Sequence, residues 1–333
     1  MKLKRSWLAA AALAAIGIGL MLASAPVSEK RAATPLAGDR LELLIWNIGY
    51  AGLGAESDFV ADGGKSILPP SARIVRKNLA GIEATLKASP ADVIIIPEAA
   101  RGTPLTWWID VLGALDKALP GRERFFSADV LTKYLPWPFR FEHGLAIYSR
   151  NLIGVFSAEP LPLEPSQAGG LYQRAYSARI VRLPVEGKSD WGVIAVHLAA
   201  FDDNAEVRRR QLQTVFEIAK ALHAEGVPVI IGGDFNLTLA DTSFPNTTSA
   251  ADRAWVQPFP RDLLPTGWQI VADPTAPSVR TNERPYKAGQ NYTGVVDGYI
   301  VSPDVWVEKV ETLDLKFQYA DHQPVRLIAR RAP

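Results

Sequence analysis

Cysteine is absent from this 333-residue chain, and histidine occurs only four times. Without cysteine the chain forms no disulfide bond and no thiolate-ligated zinc site, so a structural zinc centre is not expected. The hydrophobic core alone must therefore stabilise the fold, which a chain of this length permits.

A marked excess of charge of either sign is also missing. The sequence has 36 Lys and Arg residues against 35 Asp and Glu residues, and 48% of it is hydrophobic. This composition is typical of a globular protein and excludes the disordered and collagen-like classes. The strongly basic surface of many nucleic-acid binders is not seen in the overall charge, although a local basic patch stays open.

The N-terminus has the three parts of an export signal. Three basic residues within positions 2–5 precede an apolar run at 7–22, and the small residues 23–25 follow. This order predicts a signal peptide over 1–25 and an exported protein, periplasmic or extracellular. An uncleaved membrane anchor formed by 7–22 is the alternative, because the run approaches the roughly 20 residues of a spanning helix. Cleavage would leave 33 Lys and Arg residues against 35 acids, a net charge of about −2.

Alternating strand-like and helix-like segments follow a polar stretch. Residues 26–39 are small and polar and predict a linker, and residues 40–331 predict a single domain. Short apolar runs rich in β-branched residues predict eight strands, and apolar periodicity predicts three helices. The predicted strands are Leu41–Asn47, Asp92–Pro97, Gly144–Ser149, Tyr176–Leu183, Trp191–His197, Val227–Gly232, Val295–Ser302 and Val305–Leu313. The predicted helices are Ser71–Ala88, Trp107–Leu119 and Ala205–Glu225. Helices interleaved with buried strands indicate an α/β or α+β architecture.

Polar side chains follow the ends of these strands. In the segment 229–236, VIIGGDFN, an apolar run passes two glycines and ends at Asp234 and Asn236. Alone, such a residue is more often a turn former, a helix cap or a satisfied core histidine. The recurrence favours a shared site, because ligands gather outside strand ends in open α/β sheets. The strand-end residues able to bind a metal or a phosphate are Asn47, Glu98, His197, Asp234, Asn236, Asp297, Asp321 and His322.

The chemistry of this set is oxygen-rich. Carboxylate and amide oxygens are the ligands that Mg²⁺, Mn²⁺ and Ca²⁺ prefer. A hard cation beside a few carboxylates and histidines suits phosphate esters, since the metal neutralises phosphate charge while a carboxylate orients or deprotonates water. The sequence therefore predicts a phosphate-ester substrate and a divalent cation as cofactor.

With these residues assembled, the chain resembles the endonuclease/exonuclease/phosphatase superfamily, which has the deoxyribonuclease I-like fold. The resemblance rests on seven stretches in the family's order. They are LLIWNIGY (43–50), VIIIPEA (93–99), HGLAIYSR (143–150), GVIAVHLAAF (192–201), VPVIIGGDFN (227–236), VVDGYIVS (295–302) and ADHQPV (320–325). The resemblance implies a four-layer sandwich, in which two packed mixed β-sheets are flanked by helices.

The resemblance also implies roles for the matching residues. Glu98 is expected as the principal metal ligand, with Asn47 and Asp321 beside it. Asp234 is expected to align or deprotonate the attacking water, and Asn236 to hold a phosphate oxygen. The expected role of His197 is to stabilise charge developing on phosphorus, and that of His322, oriented by Asp297, is to contact the phosphate and assist proton transfer.

Three features depart from the family pattern or extend it. Pro97 stands where the family often has Gln, and Ala320 stands where it usually has Ser. Neither change removes a ligand. Tyr172 and Arg174 lie where relatives often place phosphate-contacting side chains, although a strand-edge Tyr and a solvated Arg are equally compatible with the sequence.

The substrate stays open between nucleic acid, phospholipid and a small molecule. The cluster Arg208–Arg210 favours a nuclease, but a helix face paired with acids explains it as well. Trp107 and Trp108, together with the aromatic segment 134–139, favour a lipid if they are exposed. A non-catalytic binding protein on the same fold is the alternative function, and it predicts the loss of a ligand or of a catalytic histidine. No obligate protein partner is predicted, and we expect a monomer.

Overall fold

The computed structural model describes residues 27–30, 35–131, 140–150, 155–164, 174–200 and 202–332. The predicted signal peptide, Tyr172 and the aromatic segment 134–139 lie outside the described residues. Within the part that is described, no helix is long and apolar enough to span a membrane.

Two mixed β-sheets dominate the structure. The strands are β1 (Val27–Lys30), β2 (Leu41–Ile45), β3 (Val93–Ala100), β4 (Glu123–Leu131), β5 (Glu142–Ser149), β6 (Val155–Pro160), β7 (Ser177–Val185), β8 (Lys188–His197), β9 (Val229–Asp234), β10 (Gln269–Val271), β11 (Val279–Arg280), β12 (Thr293–Gly294), β13 (Asp297–Val301), β14 (Val305–Thr312) and β15 (Val325–Arg331). Sheet A has the order β1-β6-β7-β8-β9-β13-β10, and sheet B has the order β14-β15-β2-β3-β5-β4. Strands β11 and β12 form a small separate ribbon.

The helices cover the outer faces of the two sheets. They are α1 (Ala72–Ala88), α2 (Val111–Ala118) and α3 (Glu206–Ala224). One hydrophobic cluster lies between the sheets, a second packs α3 against sheet A, and a third packs α1 and α2 against sheet B. These layers confirm the predicted sandwich of two packed mixed sheets flanked by helices.

Burial on both faces explains why the central strands are continuously apolar. In β9, Ile230 belongs to the cluster between the sheets, whereas Val229 and Ile231 belong to the cluster under α3. In β3, Ile95 faces the other sheet and Ile94 faces the helices. Alternate side chains point to opposite faces of a strand, so a strand covered on both sides has no polar face.

Two of the three predicted helices agree closely with the structure. Helix α1 begins after Ser71, whose side chain accepts a hydrogen bond from the backbone N–H of Ile74. The segment predicted as helix 107–119 differs, because α2 begins only at Val111, after the N-cap Asp110. Trp107 and Trp108 have left-handed backbone conformations, with φ of 48° and 57°, and they end a short 3₁₀ turn instead of starting the helix.

Strands β1, β4, β6, β10, β11, β12 and β15 extend the prediction. Residues 27–30 lie within the predicted linker 26–39, yet they pair with β6 at the edge of sheet A. The sequences of β4 and β15 mix apolar with charged residues, because these strands bury less of their surface than the central strands. The prediction of a linker over 26–39 is therefore corrected for these four residues, whereas the boundaries of the export signal and of the domain stay predictions.

Candidate active site

Three neighbouring strands of sheet A bring three site residues into one row. His197 closes β8 and stands beside Asp234, the last residue of the parallel strand β9. On the other side of β9, Asp297 opens the antiparallel strand β13 directly opposite Asp234. The row is therefore fixed by backbone register, although 100 residues separate His197 from Asp297.

Gly232 and Gly233, directly before Asp234 in β9, allow the neighbouring strands to approach β9 closely. A Cβ atom on Gly233 would collide with the Val196 carbonyl oxygen of β8, and one on Gly232 would lie 2.8 Å from Cδ1 of Tyr299. A residue larger than glycine at either position would push β9 away from its neighbours. The two glycines therefore keep Asp234 beside His197 and Asp297.

Asp234 is the centre of a hydrogen-bond network. Its Oδ2 accepts from Nδ2 of Asn47 at 3.0 Å, and its Oδ1 accepts from the backbone N–H of Asn236 at 2.9 Å. Burial raises the pKa of Asp234 to about 6, although the nearby His322 lowers it. Asn47 belongs to the segment after β2, so this hydrogen bond joins sheet B to sheet A. The network leaves Asp234 as a buried carboxylate with a pKa close to neutrality.

His322 and Asp297 form a buried pair. Nδ1 of His322 and Oδ2 of Asp297 are 2.8 Å apart, and the His322 carbonyl accepts a hydrogen bond from Nε1 of Trp46. Burial lowers the pKa of His322, but the carboxylates of Asp297 and Asp234 raise it well above its usual range. Nε2 of His322 lies 3.7 Å from Oδ2 of Asp234. This imidazole is therefore protonated at neutral pH and held by Asp297.

Glu98 reaches the site from a β-bulge in sheet B. The pairing of β3 with β5 shifts between Ile96 and Ala99, and Glu98 has a left-handed φ of 56°. This bulge also accommodates Pro97, because a residue without an N–H group is tolerated where the ladder is interrupted. Burial raises the pKa of Glu98 to about 7, although the Arg174 guanidinium lowers it.

Arg174 and His197 lie beside Glu98. Nη2 of Arg174 is 3.5 Å from Oε1 of Glu98 and 3.5 Å from Nδ1 of His197. Burial and the nearby Arg174 guanidinium hold the pKa of His197 well below its usual range, so this imidazole is neutral. Its Nε2 lies 3.7 Å from Oδ2 of Asp234. The structure thus excludes the solvated alternative for Arg174, which is buried inside the site.

Asp321 is tied to two residues that the sequence does not single out. Nδ2 of Asn282 donates to Oδ2 of Asp321 at 2.8 Å and to Oδ2 of Asp62 at 2.8 Å. Burial raises the pKa of Asp62 to about 6, against the lowering effect of the hydrogen bond from Asn282. Asp62 therefore adds a further carboxyl group to the site. Its position in a glycine-rich loop gives no strand-end signal by which the sequence could have identified it.

A cavity of about 270 Å³ unites these residues. Aromatic and aliphatic side chains form much of its wall, among them Tyr50, Leu53, Phe59 and Leu105. Of the predicted site residues that the structure describes, all but Asp297 line the cavity. Asp297 is hydrogen-bonded to His322, which does line it. Those lining it are Asn47, Glu98, Arg174, His197, Asp234, Asn236, Asp321 and His322.

The donor groups of the cavity fit a hard divalent cation. Carboxylate oxygens of Asp234 and Asp297 and a ring nitrogen of His322 lie within 4.8 Å of one another, so this buried group could bind a metal. In it, Nδ1 of His322 is already bonded to Oδ2 of Asp297, whereas Oδ1 of Asp297 is buried without a hydrogen-bond partner. Oδ1 of Asp321 is buried without a hydrogen-bond partner, which is costly unless a cation or water is bound there. Asp297 and Asp321 therefore each offer an unpartnered carboxylate oxygen that suits a cation.

The cluster Arg208–Arg210 has a structural explanation. Arg208 is fully buried, pairs with Asp202 at 2.7 Å and donates to the carbonyl of Asn236. Arg209 pairs with Asp262 on the surface. The predicted alternative, in which the arginines of this helix pair with acids, is thereby confirmed for Arg208 and Arg209. Arg208 also holds the backbone carbonyl of Asn236 in place.

A family comparison decides the identity of this architecture. The model of the endonuclease/exonuclease/phosphatase family matches residues 44–285, which is more than half of the chain. The chain belongs to this family. Its members include phosphoesterases and nucleases acting on phosphate esters. The matched region contains Asn47, Glu98, His197, Asp234 and Asn236, whereas Asp297, Asp321 and His322 join them through the fold.

Solved structures share the fold of this family member at low sequence identity. An endonuclease/exonuclease/phosphatase from Beutenbergia cavernae is 19% identical with a TM-score of 0.58, over 88% of this chain and 72% of that chain. A family protein from Bacteroides vulgatus is 13% identical with a TM-score of 0.54, over 88% and 99%. ANGEL2, described as a 2′,3′-cyclic phosphatase, is 14% identical with a TM-score of 0.55, over 93% and 99%. No curated protein sequence matches the chain.

Proposed function

We propose that this family member is an exported, divalent-metal-dependent phosphoesterase that hydrolyses a phosphodiester or phosphomonoester by in-line attack of an activated water. The observation that carries the proposal is the convergence of Asp234, Glu98 and His322 on one cavity that spans both sheets. Fold alone would not justify an activity, since unrelated functions share folds. Here the site residues and the family membership support the same chemistry.

The cation would be held by oxygen atoms of Glu98, Asn47 and Asp321, and we propose Mg²⁺, with Mn²⁺ or Ca²⁺ as the other hard cations that fit. When bound, it would neutralise charge on the phosphate. Glu98 has a pKa of about 7 in the metal-free protein, so a cation would favour its ionised form. The unsatisfied Oδ1 of Asp321 supports the same location.

Asp234 is the proposed base. Its carboxylate is oriented by Asn47 and by the backbone N–H of Asn236, and its pKa of about 6 suits proton abstraction near neutral pH. The side chain of Asn236 donates to the carbonyl of Leu198, which fixes its amide beside the cavity. In the proposal, one of its N–H groups also contacts a phosphate oxygen.

His322, His197 and Arg174 are the proposed donors to the phosphate. His322 is protonated and can donate from Nε2, because Asp297 holds Nδ1. Arg174 brings a positive charge into a buried site, where electrostatic stabilisation of developing charge is strong. His197 stays neutral and can donate a hydrogen bond without a further charge.

The non-catalytic alternative is weakened by the completeness of the site. It requires the loss of a ligand or of a catalytic histidine, yet Glu98, Asp321, His197 and His322 all line the cavity.

The test is hydrolysis of two soluble esters, bis(p-nitrophenyl) phosphate and p-nitrophenyl phosphate, with and without a chelator. We expect hydrolysis that stops on chelation and returns with Mg²⁺ or Mn²⁺. Asp234→Asn should abolish it, whereas Asp241→Asn, which changes an exposed acid, should keep the wild-type rate. Equal rates in wild type and Asp234→Asn would refute the mechanism, and no hydrolysis of any phosphate ester would refute the function.

A further inference from the structure

Exposed hydrophobic side chains gather at the mouth of the cavity. Among the described residues, seven large hydrophobic side chains are notably exposed, and five of them lie on the loops 59–69 and 104–108. The same loops supply the cavity residues Phe59, Asp62 and Leu105. The five are Val60, Ile67, Leu68, Trp107 and Trp108, and together they are called the rim cluster here.

Hydrogen bonds join the two loops into one surface. Nε1 of Trp107 donates to the carbonyl of Pro69 at 2.8 Å, which fixes the tryptophan loop to the residue after Leu68. Within the first loop, the N–H of Val60 donates to the carbonyl of Ser66 at 2.9 Å, beside Ile67. The rings of Trp107 and Trp108 meet edge to face at a centroid distance of 6.3 Å. The two loops that carry the rim cluster are therefore held together by hydrogen bonds.

The two exposed tryptophans have an energetically unfavourable backbone conformation. Both have left-handed φ angles, which non-glycine residues adopt rarely. The N–H of Trp108 donates to the carbonyl of Thr103, and a Cβ atom on Gly102 would lie 2.7 Å from the Trp108 carbonyl oxygen. Strained backbone of this kind persists where the surrounding structure imposes it, and it clusters at functional sites.

We propose that the rim cluster docks the mouth of the active site onto a lipid bilayer, so that the phosphate ester that is cleaved belongs to a lipid headgroup. This inference rests on the phosphoesterase function proposed above. Tryptophan prefers the membrane–water interface, because its ring is amphipathic. Ile67 is 70% exposed, and its insertion into the acyl boundary would remove an apolar surface from water.

The direction of β1 supports a bilayer as the partner. Strand β8 runs towards His197, β7 and β6 alternate in direction, and β1 is antiparallel to β6. The chain therefore enters β1 from the end of sheet A that carries the site. Residues 1–26 precede it and contain the apolar run 7–22. If that run is retained as an anchor, it is joined to the sandwich at the end of sheet A that carries the site.

Quenching of tryptophan fluorescence by brominated lipids tests the docking surface. The full chain is mixed with phosphatidylcholine–phosphatidylglycerol vesicles with or without bromine on the acyl chains. We expect the double variant Trp107→Phe, Trp108→Phe to lose a large part of the quenching seen in wild type. The matched control is Trp306→Phe, because Trp306 is 60% exposed and lies on β14, at the opposite end of the sheets.

A second variant keeps both tryptophans. Ile67→Glu should reduce the same quenching, since a charge at this exposed position opposes insertion into the bilayer. Wild-type quenching in both the double variant and Ile67→Glu would overturn the docking surface. Because each measurement is a difference from wild type, a retained anchor adds the same background to all variants.

The lipid substrate is tested separately by release of phosphorylated headgroup from the same vesicles, or from vesicles containing sphingomyelin. Hydrolysis of the vesicle lipid by wild type, with a loss in Ile67→Glu, supports the inference. A wild type that cleaves soluble bis(p-nitrophenyl) phosphate or plasmid DNA but no vesicle lipid overturns the lipid substrate and leaves the proposed function intact. If the wild-type protein hydrolyses none of these esters, the proposed phosphoesterase function itself is refuted.

Discussion

Asp234 and Asp297 stand directly opposite each other in the paired strands β9 and β13, and His322 contacts both carboxylates. Two buried carboxylates this close together repel each other unless a positive charge or a proton lies between them. The imidazolium of His322 supplies that charge. The two carboxylates therefore raise the pKa of His322, and His322 in turn lowers the pKa of Asp234.

Replacing Asp297 with Asn should move the alkaline limb of the pH profile. Asp297 raises the pKa of His322, so its loss lowers that pKa, and His322 then loses its proton at a lower pH. We expect kcat/KM to fall by about 10²–10⁴ at neutral pH, the usual contribution of a positioned acid or base. The check is a pH profile of kcat/KM for wild type and variant. An unchanged alkaline limb would show that Asp297 does not act through His322.

The acidic limb of the pH profile of kcat/KM should lie between about pH 6 and 7. Asp234 and Glu98 have pKa values raised to about 6 and about 7, so both are protonated below these values, and activity is lost as the pH falls. Bound cation favours the ionised form of Glu98, so a higher Mg²⁺ concentration should move the limb to lower pH. A limb near pH 4, independent of Mg²⁺, would contradict the assignment.

Glu98→Gln should separate metal binding from stability. The folded-state pKa of Glu98 is above its ordinary value, so the folded chain favours the protonated form, and this stabilisation is lost as the pH rises through about 7. At pH 8 in chelator, the variant should therefore have a higher Tm than wild type. Mg²⁺ should raise the Tm of wild type much more than that of the variant. The measurement is thermal unfolding of both proteins with Mg²⁺ and with chelator, and a higher wild-type Tm in chelator would contradict it.

Asp62→Asn should weaken cation binding less than Glu98→Gln does. Asp62 reaches Asp321 through the amide of Asn282, so its loss disturbs the position of Asp321 without removing an expected ligand. Calorimetric titration of the chain with Mn²⁺ gives the two affinities. Asp58→Asn is the control in the same loop, outside the cavity. If Asp62→Asn binds Mn²⁺ as tightly as this control, Asp62 has no part in the site.

Arg208→Met should be strongly destabilising, and Arg209→Met should not. Removing Arg208 leaves Asp202 buried without its partner, which costs about 3–5 kcal/mol in comparable pairs. Arg209 pairs on the surface, where such interactions contribute little. Urea unfolding of the two variants gives the comparison. Similar stability of both would show that the Arg208–Asp202 pair does not support the fold.

The strand ends could be predicted from the sequence because the evidence for them is local. Apolar runs that end in polar residues identify Asp234, Glu98 and His197 without any knowledge of their neighbours. The contacts between them could not be predicted this way, since Asn47 and Asp234 are separated by 187 positions in the chain. Asp62 was missed for the same reason, because its place depends on Asn282, 220 positions away.

The left-handed backbone conformation of Trp107 and Trp108 could not be predicted from the sequence for a different reason. Apolar periodicity extends a helix back to Trp107, whereas the structure begins it at Val111. Left-handed conformations are predictable at glycine or asparagine, and nothing in the identity of tryptophan indicates one. The contacts of Trp107 with Pro69 and of Trp108 with Thr103 override the local preference.

The hydrogen bond between Asn47 and Asp234 joins the two sheets, and Oε1 of Glu98 in sheet B also lies 3.9 Å from Nε2 of His197 in sheet A. A slide of one sheet against the other by about 1 Å can therefore cost about 10²-fold in rate before any strand is lost. During mild denaturation, inactivation should precede the loss of the far-ultraviolet circular dichroism signal. The proposed activity would then be a more sensitive measure of how the two sheets are aligned than the strand content is.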